Sequence, residues 1–68
     1  MMKQYKWYFL DHVQRTAAAE FVACRDDDDA KRKAAEVLAE RKYHGIEIWD
    51  GRRRVHFLNA EGQDFQPR

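Results

Sequence analysis

The three imidazoles and one thiol of this 68-residue chain are of types that bind metals or attack electrophiles: His12, Cys24, His44 and His56. A structural zinc site needs pairs such as C-x-x-C or H-x-x-x-H, and a zinc hydrolase helix carries H-E-x-x-H. None of these spacings occurs, and the four residues fall on different expected elements. Cys24 stands just before an expected helix, where a thiol pKa can fall and make a nucleophile. A lone cysteine is more commonly a small buried hydrophobe, which is the expectation here. The aspartates at 26–29 lack the alternating oxygens, central glycine and distal glutamate of an EF-hand loop. The glycines at 45, 51 and 62 are isolated, so no phosphate-cradling loop exists. No catalytic residues, metal ligands or cofactor are assigned, and a non-enzymatic role is expected.

Arg52, Arg53 and Arg54, near Trp49, Tyr8 and His56, make the one constellation with a recognisable use. Aromatic rings on a sheet stack bases, and guanidinium groups hold phosphates. Against this, Glu47 interrupts the patch, and no RNP-like aromatic motif is present. Thirteen Lys and Arg against twelve Asp and Glu leave a net charge of +1, too small for a field that gathers nucleic acid. Arginines at a strand edge also discourage aggregation.

The elements that position these residues must come from one small domain, since a chain this short buries only about 60% of its unfolded surface. Its apolar bulk is aromatic, with two Trp, three Tyr and four Phe. Apolar runs such as 7–10 are far shorter than the roughly 20 residues of a membrane span. With no signal-peptide pattern and a single cysteine, a cytoplasmic address away from membranes is expected.

Residues 4–10 read as a central strand, with Tyr5, Trp7 and Phe9 on one face and Lys6, Tyr8 and Leu10 on the other. Residues 11–16 form a polar turn. Residues 18–24 form a weaker strand, with Val22 and Cys24 opposite Phe21 and Ala23. The aspartates at 26–29 then cap a helix whose stripe is Ala30, Ala34, Val37 and Leu38, ending at Arg41. Asp28–Arg32 and Asp29–Lys33 are expected ion pairs along it, and Gly45 is expected to stop it in a left-handed conformation.

Residues 46–58 read as a hairpin closed by Asp50-Gly51. A two-residue loop there sets Trp49 opposite Arg52, Ile48 opposite Arg53, Glu47 opposite Arg54 and Ile46 opposite Val55. Ile46, Ile48, Val55 and Phe57 then face the core together with Arg53, which must reach out to water. Glu47, Trp49, Arg52, Arg54 and His56 face away, with a Glu47–Arg54 ion pair and a Trp49–Arg52 cation–π contact. Residues 1–58 form the domain, and 59–68 are a loose tail pinned by Phe65.

The resulting fold is α+β, in the order β-β-α-β-β: a four-stranded, mainly antiparallel sheet with one helix on one face. One helix leaves the second face bare. The expected interaction face comprises Tyr8, Leu10, Phe21, Trp49, Arg52, Arg54, His56 and Leu58. An apolar area of that kind marks a contact site. The expected partner is a second copy, giving a homodimer, or another protein, joined sheet to sheet or edge to edge. Nucleic acid is the alternative.

The frame of Tyr5-Lys-Trp-Tyr-Phe-Leu-Asp11, Phe21-Val-Ala-Cys-Arg-Asp26, an Ala/Glu-rich helix and Ile46-Glu-Ile-Trp-Asp50 followed by Arg54-Val55 resembles a group of short uncharacterised proteins of rhizobia-like alphaproteobacteria. The resemblance covers about residues 4–58 and implies a small bacterial α+β domain. It brings no activity or site residue. The glycine usual in the first turn of that group is absent here.

Overall fold

A computed structural model describes residues 1–40 and 42–59. Four strands and one helix follow in the order β1 (Lys3–Leu10), β2 (Thr16–Cys24), α1 (Asp27–Ala39), β3 (Gly45–Asp50) and β4 (Arg53–Asn59). The strands form one open antiparallel sheet in the order β2-β1-β3-β4. The fold is therefore a small α+β fold. β1 is central, as its two-sided apolar pattern requires. β2 and β3 both run antiparallel to β1, hence parallel to each other, so a helix must carry the chain back between them.

Asp11 closes the first turn. Its Oδ1 accepts the N–H groups of Val13 and Arg15, both at 3.0 Å. Gln14 supplies the left-handed residue at φ 67°, where glycine is usual. At the helix start Asp26 is the N-cap and accepts the Asp29 N–H at 2.8 Å. Asp29 reaches back to accept the Arg25 N–H at 2.9 Å, a reciprocal arrangement akin to a capping box. Asp26 and Asp29 of the aspartate run are thus used in capping.

Ala30, Ala34 and Leu38 bury one stripe of α1 against Tyr5, Trp7, Phe9, Ile46 and Ile48. The small alanines let the helix approach the large rings of the sheet. Each fully buried large apolar side chain contributes about 1.5–3 kcal/mol. The ion pairs on α1 are Asp29 with Arg32 and Lys33, and Arg32 with Glu36; Arg32 turns to these rather than to Asp28. Arg41 lies outside the described residues. The helix ends at Glu40 in a right-handed conformation, so Gly45 does not stop it. Gly45 opens β3 instead, and a Cβ there would lie 3.2 Å from both the Phe57 ring and the Leu58 carbonyl oxygen.

The hairpin differs from expectation in two ways. The loop residues are Gly51 and Arg52, because Asp50 pairs with Arg53. Gly51, at φ 62°, occupies the first loop position, as in a type II′ turn. Trp49 then pairs with Arg54, but Ile48 pairs with His56, which leaves Val55 as a bulge. One extra residue reverses the faces of everything after it. His56 and Leu58 therefore join Ile48 and Ile46 on the helix side, and Phe57 joins Glu47 on the bare side. Leu58 is part of the core at 3% exposure. The placement of His56 and Leu58 on the bare face is thus corrected. Val55 still packs against the core from the bulge.

Among the described residues no helix is long and apolar enough to cross a membrane. Asn59 belongs to β4, and the expected tail contact through Phe65 lies outside the described residues.

Candidate interaction surface

Alternation along β1 turns Lys6, Tyr8 and Leu10 away from α1, and the sheet register brings a partner to each. Lys6 lies between Phe21 on β2 and Trp49 on β3. Tyr8 lies between Ala19 and Glu47. Of the expected face, Tyr8, Phe21, Trp49 and Arg54 are together on the bare side. Leu10 faces the same way at one end, where its side chain and the Phe57 ring close over Gly45, and it is buried. Arg52 is at the exposed hairpin tip, off the face. His56 and Leu58 are on the opposite side.

A shallow depression of about 650 Å³ spans this face, bordered by Tyr8, Phe21 and Trp49 together with Lys6, Gln4 and Glu47. Phe21 is the most prominent side chain, 66% exposed. The Lys6 ammonium lies 4.5 Å from the centre of its ring and 5.6 Å from that of Tyr8. Glu47 organises the other side. One carboxylate oxygen accepts the Trp49 indole N–H at 2.9 Å, and the other accepts from Arg54 at 3.2 Å. The expected Glu47–Arg54 pair forms, although Glu47 stands directly across from Phe57. Trp49 is held by Glu47, and the cation over the aromatic rings of this face is Lys6 rather than Arg52. Lys6 shares the parity of Tyr8, so strand alternation could have included it in the site.

A second polar cluster ties the end of the sheet to the helix. Arg53 donates to Asp27 through both terminal nitrogens, at 3.1 and 3.2 Å, and to Asp50 at 3.0 Å. Tyr5 donates its hydroxyl to Asp27 at 2.9 Å, and Lys3 pairs with Asp50 at 2.7 Å. Arg53 and then Tyr5 hold the Asp27 carboxyl below its ordinary range. Lys3 and then Arg53 do the same for Asp50. Burial, followed by the Asp27 contact, pushes the Tyr5 hydroxyl up. Arg53 faces the helix side, as expected, but finds two carboxylates there rather than open water.

The groups considered for chemistry are dispersed. Cys24 is fully buried, and burial raises its thiol pKa, which opposes nucleophilic use. His12 and His44 meet edge to face, with ring centres 5.9 Å apart, while His56 lies on β4. Among the described residues no three His, Cys, Asp or Glu side chains gather as a metal site requires.

The two sheet edges also differ. β4 carries Arg53, Arg54 and the Val55 bulge. β2 is exposed over most of its length, with only Cys24 buried. No protein-family model, curated protein or solved structure matches this chain.

Proposed function

We propose that this chain is a small, non-enzymatic interaction domain of the cytoplasm that acts by associating with a second copy of itself. The contact is either the sheet surface that α1 leaves bare or the exposed β2 edge of that sheet. The observation that carries this reading is Phe21: a large apolar ring two-thirds exposed on the same face as Tyr8 and Trp49. Burying such rings on association recovers the apolar stabilisation that a single copy forgoes. The free, buried Cys24 accords with a reducing compartment.

A nucleic-acid role has less support. Among the described residues Arg53 and Arg54 spend their charge on Asp27, Asp50 and Glu47, and of the arginine run only Arg52 makes no ion pair. Sedimentation velocity from low to high micromolar concentration tests the proposal. A shift toward dimer, reduced in Phe21→Glu, is expected. A chain that stays monomeric throughout overturns the reading. Micromolar binding of single-stranded RNA that weakens with salt and is lost in Arg52→Ala/Arg54→Ala promotes the alternative.

A further inference from the structure

The edges of an open sheet carry unpaired backbone groups, and proteins usually blunt them. β4 is blunted by arginines and by the bulge at Val55. From Ala18 to Cys24, β2 has no bulge, no proline, no lysine and no arginine; its sole charge is Glu20.

The direction of the β2 backbone follows from two hydrogen bonds of β1. The Leu10 carbonyl accepts from the His44 N–H at 2.9 Å, so the backbone groups of Leu10 face β3. The next N–H, of Asp11, turns the other way and donates to the Arg15 carbonyl at 2.8 Å. Strand alternation then points Phe9, Trp7 and Tyr5 toward β2, where they pair with Ala18, Glu20 and Val22. Ala19, Phe21 and Ala23 must therefore turn their N–H and C=O groups outward. Lys33 agrees with this, reaching the Ala23 carbonyl oxygen at 3.0 Å.

We propose that β2 pairs antiparallel with β2 of a second copy about a two-fold axis at Phe21, making one eight-stranded sheet. The inference rests on the self-association reading above and names its contact. Outward groups must meet outward groups, so the central choices of axis are Ala19, Glu20 and Phe21. An axis at Glu20 sets two carboxylates directly opposite each other, which is unfavourable. An axis at Ala19 draws the irregular Ala17 into the ladder opposite Phe21. An axis at Phe21 uses only the regular stretch from Ala18 to Cys24.

That register is also complementary in its side chains. The two exposed Phe21 rings lie side by side, and the two Lys6 residues behind them stand three strand spacings apart, about 14 Å. Ala19 falls opposite Ala23 of the second copy, on whose carbonyl that copy's Lys33 rests. Glu20, adjacent to Ala19 and on the helix side, thus meets a cation. Both copies use their more open edge, on which Lys33 covers the Ala23 carbonyl, and the blunted β4 edges remain outside, so the assembly closes at two.

Three variants and one exchange measurement test this. Ala19→Pro removes an outward N–H that the chain's own sheet does not use, so it should fold and sediment as a monomer. Trp49→Glu alters the bare face two strands away from the edge and should remain a dimer. Glu20→Lys should weaken dimerisation several-fold at low salt. In the wild-type chain, amide exchange at Ala19, Phe21 and Ala23 should slow as concentration rises. Loss of the dimer in Trp49→Glu, with these amides exchanging rapidly at every concentration, overturns edge pairing in favour of face-to-face association. A wild-type chain that never dimerises overturns both readings. Should circular dichroism show Ala19→Pro unfolded, exchange in the wild-type chain decides.

Discussion

Arg53 on β4 and Asp27 in the first turn of α1 form a forked contact across 26 residues of sequence, with both terminal guanidinium nitrogens on the carboxylate. The contact joins the hairpin to the helix start, and Tyr5 extends it to β1 through the same carboxylate. A planar fork matches a carboxylate in a way that a point charge does not.

Arg53→Ala should therefore lower the melting temperature, and Arg53→Lys should restore only part of the loss. Both groups are partly exposed to solvent, so salt should reduce the difference. A lysine variant that melts with wild type would show that charge alone suffices. A double-mutant cycle with Asp27→Asn measures the coupling directly.

The Val55 bulge is testable at Leu58. Buried as the structure places it, Leu58→Ala should cost about 2–5 kcal/mol in denaturant unfolding. Had the strand continued without the bulge, Leu58 would face away from the helix and the cost would be about 0.5 kcal/mol or less. A small loss would therefore refute the observed register.

Asp29 makes the fold sensitive to acid. The Arg25 N–H, then Arg32 and Lys33, draw its pKa down to about 2. A carboxylate with a lower pKa folded than unfolded stabilises the fold above the unfolded value, about 4, and loses that contribution as pH falls toward 2. Asp11, Asp27 and Asp50 are shifted the same way. The melting temperature should fall between pH 4 and pH 2, and Asp29→Asn should flatten that slope. An unchanged slope in the variant would exclude Asp29 as a contributor.

Gln14 holds a left-handed conformation in the first turn at a cost of about 1–2 kcal/mol, which glycine would not incur. Glycine adds disorder to the unfolded chain, worth about 0.4–1 kcal/mol. Gln14→Gly should thus stabilise the domain by on the order of 0.5 kcal/mol, measured by thermal or urea unfolding. Destabilisation would mean that the Gln14 side chain contributes more than its backbone costs.

Sequence alone determined the elements that rest on local physics. Tyr5, Trp7 and Phe9 alternate with Lys6 and Tyr8, and only a strand sorts them onto two faces. The aspartates at 26–29, followed by helix formers spaced about the apolar stripe, define a capped helix start wherever the rest of the chain goes. The bare sheet face follows from counting one helix against one sheet, so Tyr8, Phe21 and Trp49 were legible as its residues. Tertiary structure decided what local pattern leaves ambiguous. β4 carries apolar residues of both parities, Val55 and Phe57 against Leu58, and a period of two cannot choose between them. The choice falls to packing: a bulge at Val55 seats Leu58 in the core and still keeps Val55 against it. The strand order, which makes β2 an edge, and the Arg53–Asp27 contact likewise join residues far apart in sequence, and no local spacing encodes such distances.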